Sequence, residues 1–415
     1  MKKYGCIGKK LTHSFSKEIH AKLADYKYDL IELNETEIAH FFEKKDFEAI
    51  NVTIPYKQTV LPYLDSVSTI ARRIGAVNTI VNKEGMLYGY NTDYYGMKAL
   101  IEKNAINLTN KKILILGTGG TSKTARVVAS DLKASQILTV SRRETDEHIT
   151  YEQAANEHYD ANVIINTTPS GMFPDCESIP INIRSFTQLD GVIDAVYNPL
   201  CTNLVLEAKQ KGIKAEGGLY MLVMQAVVAA EKFLDTHIQK EVADQIFTSV
   251  LASKENIVLT GMPGSGKSTV GRLLNIDGFE FVDTDVEIEK LCGCSIKDLI
   301  KEKGENYFRD LETNIIKNVS SSSGKIIATG GGCILREENV RHLKQNGRLF
   351  FINADINRLN ATDTRPLSDT YEKLKKLYEQ RIDIYKKTAD VIVPDMKTAD
   401  SEAEYIIMKR DELML

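Results

Sequence analysis

Short apolar runs alternate along the chain with stretches in which apolar residues recur every three or four positions. In residues 1–100 the strand-like runs KYGCIG, YDLIEL, EAINVTI, NTIVN and MLYGY alternate with the helix-like SKEIHAKLA, ETEIAHFFEKK and TVLPYLD. That alternation predicts an α/β unit. From about residue 108 the pattern restarts with KKILILG, a helix TSKTARVVASDL, and strands QILTVS, ANVIINTT and GVIDAV. Strands joined by helices predict a parallel, doubly wound sheet. Residues 202–250 read as the helices TNLVLEAKQKG and LYMLVMQAVVAAEKFLDTHI, the second apolar enough to be buried and expected to return to the first unit. A third unit opens at about 254 with KENIVLTG and continues through FEFVDTD, VEIEKLCG, KIIATGG, RLFFINA and DVIVPD. Its boundary is expected at about 238–255, where a helix ends in a short polar stretch.

Composition narrows the classes. A chain of 415 residues suggests more than one core. A formal net charge of −4 with 27% charged residues shows no basic excess, which argues against nucleic acid or an anionic membrane as partner. The sequence lacks an apolar run of about 18 residues and a signal-peptide core, so a cytoplasmic protein is expected. Six cysteines are scattered, and Cys292-Gly-Cys294 without a second pair is a weak metal motif.

Two glycine loops carry the clearest chemistry. In ILILGTGGTSKT, Gly117, Gly119, Gly120, Thr121 and Ser122 follow a strand and open a helix. Position 122 is Ser where a mononucleotide loop needs Gly. The dinucleotide pattern requires only a turn glycine, a glycine at the pyrophosphate and a small third residue. The next strand ends in Ser141-Arg142-Arg143 rather than an acidic residue, so two guanidinium groups and a hydroxyl suit the 2′-phosphate of NADP(H). The second loop, Gly261-Met-Pro-Gly264-Ser265-Gly266-Lys267-Ser268-Thr269, fits the P-loop in full. Its backbone N–H groups cradle the phosphates of ATP, Lys267 reaches them, and Ser268 ligates Mg2+. The expected architecture is an N-terminal α/β substrate domain (1–100, completed by helices of about 216–250), a Rossmann NADP domain (101–215), and a P-loop α/β domain with a parallel sheet (254–415).

A nicotinamide needs a carbonyl beside it and a group to manage the proton. Lys57 in NVTIPYK and Asp93 in GYNTDYYG, both at strand ends, are candidates for that pair. With the motifs LTHSFS, NVTIPYK, GAVNT, GYNTD, GTGGTS, SRR, INTTPSGM, DAVYNP and GGLYMLVMQA in order, residues 1 to about 250 resemble shikimate dehydrogenase. The resemblance implies Ser14 and Ser16 on the substrate carboxylate and Thr53, Asn78, Asp93 and Gln225 around its hydroxyls. It implies Lys57 and Asp93 as the catalytic pair, and Tyr197, Gly217 and Met221 near the nicotinamide or substrate. Helix capping ahead of KEIHAKL is an alternative role for either serine. Lys17, Ala21 and Asn203 depart from the family pattern.

In the third unit FVDTD ends a strand in two carboxylates. Asp283 is placed to hold Mg2+, and Asp285 to accept an alcohol proton. Arg309, the Gly330-Gly331-Gly332 turn, Arg365 and Arg381 supply the guanidinium groups and close backbone approach that phosphorylating an anionic polyol needs. The order GMPGSGKST, FVDTD, FRDLE, TGGGC, RPLS and YEQRIDIY resembles shikimate kinase over about 255–395. Gluconate-type kinases share the P-loop and sheet, but these later motifs favour shikimate. The resemblance implies Asp285, Arg309 and Arg381 on shikimate with Gly331 and Gly332, Arg365 on a lid over the phosphates, and Arg358 near the adenine.

The product of the first reaction is the substrate of the second. The expectation is a bifunctional enzyme of the shikimate pathway that reduces 3-dehydroshikimate with NADPH and phosphorylates shikimate with MgATP. Fungal quinate repressors, which are regulatory binding proteins, have similar domains. That alternative predicts missing catalytic residues, whereas Lys57, Asp93, Lys267, Ser268, Asp285 and Arg365 are all present. A quinate-accepting or NAD-tolerant dehydrogenase is the nearer rival for the first unit.

Overall fold

The computed structural model describes residues 3–11, 15–359 and 370–414. The chain forms two compact units, residues 1–250 and 251–415.

The first unit contains two sheets. One is mixed, with strand order Tyr28–Glu32, Tyr4–Gly8, Ala49–Val52, Thr79–Lys83, Met86–Tyr90, Ser66–Val67. Its first three strands run parallel, and the Thr79–Lys83 and Met86–Tyr90 hairpin joins them antiparallel, pairing Ile50 with Ile80. The other is parallel throughout, in the order Lys214–Glu216, Gly191–Asp194, Val163–Asn166, Lys112–Leu116, Gln136–Ser141, His148–Thr150. Its central strands are buried on both faces, which is why they read as unbroken apolar runs. The apolar helix Leu219–Leu234 buries Ala229 and Phe233 with Tyr4, Tyr28, Ala49 and Val81 of the mixed sheet.

The second unit has one parallel five-stranded sheet, in the order Glu280–Asp283, Lys325–Ala328, Asn256–Thr260, Gly347–Asn353, Val391–Pro394. The P-loop helix Lys267–Leu273 lies close on it, and a Cβ at Gly271 would strike the Phe281 ring.

Two sequence expectations are corrected. TVLPYLD forms only the 3-10 turn Leu61–Tyr63, because Pro62 has no N–H and the Leu64 N–H bonds three residues back to Leu61. The chain divides between residues 250 and 251, inside the range 238–255, but the stretch there is largely the helix Lys240–Lys254 rather than a polar break. Ala243, Ile246 and Val250 bury a narrow stripe of it that the surrounding polar residues conceal. Among the described residues no helix is long and apolar enough to cross a membrane.

Candidate active sites

In the first unit Lys57 follows the strand Ala49–Val52 through a turn closed by Tyr56 N–H to the Thr53 carbonyl, 2.9 Å. Asp93 is the first residue of the helix Asp93–Lys103, where the helix dipole favours a carboxylate. The Lys57 Nζ donates to Asp93 Oδ2 at 2.6 Å, with both side chains largely buried. The backbone beneath this pair is fixed by amides. Val77 N–H donates to the Lys57 carbonyl at 2.8 Å. Asn78 Oδ1 accepts from Thr92 N–H at 2.6 Å, and Asn78 Nδ2 donates to Thr92 Oγ1 at 3.0 Å. Behind Asn78, Asn51 Nδ2 donates to its carbonyl and Tyr28 donates to Asn51 Oδ1 at 2.7 Å. Every polar atom of this buried network named here has a partner, which gives it one arrangement.

Gly96, one turn beyond Asp93, lets two helices meet. A Cβ there would strike the Met221 carbonyl and stand 3.2 Å from Gln225 Cβ. The missing side chain therefore brings Met221 and Gln225 beside the Asp93 helix. Tyr197 is partly buried, its ring 5.3 Å from that of Phe15, and burial raises its hydroxyl pKa. Ser16 begins the helix Ser16–Leu23, for which Phe15 takes the N-cap position. Ser14 lies outside the described residues. Gly217 packs with the space of its missing Cβ against the Leu200 carbonyl, at 2.5 Å.

The dinucleotide loop sits against Lys57. A Cβ on Gly120 would lie 3.7 Å from Lys57 Cδ, and Lys123 Nζ donates to Gln58 Oε1 at 3.1 Å. Gly117 has φ +102°, open to glycine, and the helix Gly120–Asp131 starts from Gly119, before which lies open space. Ser122 is buried and Thr121 partly so. Arg142 and Arg143 are exposed at the end of the next strand. The Ser141 hydroxyl donates to the Arg143 carbonyl and accepts from Arg143 N–H, so it shapes that turn.

In the second unit the P-loop fits a phosphate. Gly264 and Gly266 have φ +85° and +88°, and the buried Ser265 Oγ has no hydrogen-bond partner. Lys267 Nζ is folded back, donating to the Gly261 and Met262 carbonyls at 3.0 and 2.9 Å. Thr269 is exposed on the following helix. Ser268 Oγ donates to Asp283 Oδ2 at 2.5 Å, which brings together the two oxygen donors expected for Mg2+. Asp283 also caps the helix Thr284–Cys292 by accepting from Asp285 N–H at 3.1 Å.

Asp285 is pushed up to about 6 by burial, then by the charges of Asp283 and Glu312, against the pull of Lys267 and Arg309. Arg309 donates to Glu312 at 2.8 Å and Glu305 at 3.2 Å. Arg381 donates to the Gly331 carbonyl at 3.0 Å. The glycine turn admits these groups: a Cβ at Gly330 would lie 2.6 Å from Asp285 Oδ1 and 2.7 Å from Glu312 Oε1, and one at Gly332 would overlap the Arg309 guanidinium. Asp285, Arg309, Arg381 and the turn thus converge. Arg358, expected near the adenine, is bound to Asp395 and to the Lys397 carbonyl. Arg365 lies outside the described residues.

Sequence reading misses Glu312 and Gly96. Glu312 is fully buried, burial raises its pKa, and its Oε1 has no hydrogen-bond partner. Its spacing of three from Arg309 in FRDLE is the signal that could have found it.

Residues 6–80 match the family described as shikimate dehydrogenase substrate binding domain, and residues 263–410 match shikimate kinase. Shikimate dehydrogenase (NADP(+)) of Clostridium perfringens is 36% identical over 271 residues, covering 60% of this chain and 97% of the relative. The crystal structure of shikimate dehydrogenase 1 from Peptoclostridium difficile aligns with TM-score 0.56 and 34% identity over 60% of this chain and 98% of that one. A shikimate 5-dehydrogenase from Thermus thermophilus, solved with NADP(H) and shikimate, aligns with TM-score 0.54 and 26% identity over 60% and 99%. With this likeness added to the paired Lys57 and Asp93, the chain belongs to the shikimate dehydrogenase family, and its second unit is a shikimate kinase domain.

Proposed function

We propose that this chain reduces 3-dehydroshikimate to shikimate with NADPH and phosphorylates the resulting 3-hydroxyl with MgATP, so that the oxygen made in one step is the nucleophile of the next. The observation that carries the first half is the Lys57–Asp93 ion pair lying against Gly120 of the dinucleotide loop. NADPH, when bound, supplies the hydride, and MgATP the phosphoryl group. Lys57, held by Asp93, polarises the substrate carbonyl and gives a proton to its oxygen as the carbon accepts the hydride. Asn78, Thr53 and Gln225 orient the hydroxyls, Ser14 and Ser16 the carboxylate, while Tyr197, Gly217 and Met221 lie near the nicotinamide or substrate. Arg142 and Arg143 select the 2′-phosphate.

In the kinase domain Asp285 takes the proton of the attacking hydroxyl, its raised pKa marking it as a base that works near neutrality. Arg309 and Arg381 hold the shikimate carboxylate beside Gly331 and Gly332. Lys267 leaves the loop carbonyls for the phosphates, Arg365 adds a further cation toward their charge, and Ser268 with Asp283 would hold Mg2+.

The test mixes the full chain with 3-dehydroshikimate, NADPH, ATP and magnesium, following absorbance loss at the nicotinamide band and ADP release. Both signals should proceed. Lys57→Ala should stop the first, and Lys267→Ala, supplied with shikimate, should stop only the second. If ligands bind and neither signal moves, the chain is a sensor and these residues bind without catalysing.

A further inference from the structure

The phosphate loop and the glycine turn of the kinase domain meet at one hydroxyl. Tyr385 lies on the helix Tyr371–Thr388, 1% exposed, its ring stacked on Phe351 at 4.9 Å with 3° between planes. Its hydroxyl faces two backbone carbonyls: that of Gly261 in the P-loop, at 2.9 Å, and that of Gly331 in the turn. Each carbonyl has a second donor. The Lys267 amine is 3.0 Å from the Gly261 oxygen, and an Arg381 guanidinium nitrogen is 3.0 Å from the Gly331 oxygen. A continuous row results: Lys267, Gly261, Tyr385, Gly331, Arg381.

A phenol carries one proton, so it cannot satisfy both carbonyls fully at once. Burial raises the Tyr385 pKa, which keeps that proton on the oxygen at neutral pH. In the described state Gly261 can take its donor from Lys267, leaving the phenol proton for Gly331. To reach a phosphate, the Lys267 amine must leave the loop carbonyls. A buried carbonyl left without a donor is costly, so the Tyr385 proton then turns to Gly261. Gly331 comes to depend on Arg381 alone, and the guanidinium is held where the shikimate carboxylate would meet it. Resting on the roles of Lys267 and Arg381 given above, we propose that Tyr385 is a positioning residue through which nucleotide binding and shikimate binding strengthen each other.

Coupling of this kind is reciprocal, so it can be read from the nucleotide side. The probe is N-methylanthraniloyl-ADP with magnesium, titrated into the full chain without NADP, in the presence and absence of saturating shikimate. Shikimate should tighten the probe about fivefold or more in the unmodified protein. In Tyr385→Phe the affinities with and without shikimate should coincide. The variant's KM for shikimate should rise severalfold at saturating ATP but not at low ATP, while oxidation of shikimate by NADP+ continues as an internal check on the chain. Phe351→Leu, which loses the ring stacking and keeps the hydroxyl, should retain the coupling.

An unmodified protein without coupling overturns the proposal. So does a Tyr385→Phe protein with the unmodified ratio, or a Phe351→Leu protein that loses it as fully as Tyr385→Phe. Arg381→Ala separates this from the assignment beneath it: an unchanged kinase KM for shikimate in that variant removes Arg381 from the substrate site, whatever Tyr385 does.

Discussion

In both units a glycine loop opens a helix, and the strand after that helix ends beside the loop's ligand side, yet the two strand ends carry opposite charge. Gln136–Ser141 runs into exposed Arg142 and Arg143, whereas Glu280–Asp283 ends in partly buried Asp283 followed by Asp285. The shared strand, loop and helix offer backbone donors to a phosphate in either unit. In the function proposed above, the next strand end distinguishes the ligands: cations for an additional phosphate in one, carboxylates for a metal and a proton in the other. The loop therefore identifies a class of ligand, and the neighbouring charge identifies its member.

The acidic end offers the largest effect. Asp285→Asn should lower kinase turnover about 10²–10⁴-fold, the usual contribution of a general base, and leave NADPH oxidation unchanged. A comparable loss in both activities would mean that the carboxylate is structural. At the basic end, replacing both Arg142 and Arg143 by Ala should raise the KM for NADPH roughly 10- to 100-fold, the loss of one or two charge-assisted hydrogen bonds. KM for NADH should change little, and parallel losses for both cofactors would break the comparison.

The pH dependence is next in size. The proposed base role requires Asp285 as the carboxylate, and burial with neighbouring charge raises its pKa to about 6. Kinase kcat/KM for shikimate should thus be steady above that value and fall about tenfold per pH unit below it. A profile of kcat/KM for shikimate, which reports groups of the free protein, flat down to pH 5, would contradict the assignment. The smallest effect concerns the scaffold under the acidic end. Gly271→Ala presses a methyl group onto the Phe281 ring and should destabilise the kinase domain by about 1–3 kcal/mol, seen by calorimetry as a lowered transition for that unit.

Features confined to one contiguous stretch can be read from sequence alone. Both loops, the strands flanking them and the FVDTD carboxylates are of this kind, because spacing along the chain fixes their relation to the local backbone. What escapes depends on contacts between distant segments. Gly96 reads as an ordinary helix glycine until the Met221 carbonyl is placed against it. Glu312 reads as a solvated helix charge until its burial beside Arg309 is known. The Leu61–Tyr63 turn reads as a helix because its apolar spacing outweighs Pro62, and the Lys240–Lys254 helix is underread because its buried stripe is narrow.

The return of the helix Leu219–Leu234 to the mixed sheet also has a consequence for synthesis. Tyr4, Tyr28, Ala49 and Val81, all made early, share their core with Ala229 and Phe233. A ribosome delivering this chain from its N-terminus completes every strand of that sheet well before the helix that covers one face of it. The whole parallel sheet of the same unit is translated in the interval. For that time the nascent mixed sheet presents apolar surface, the condition under which chains recruit chaperones or pair with one another. Expression yield should accordingly respond to translation speed between codons 90 and 234 more than to speed within the first strands.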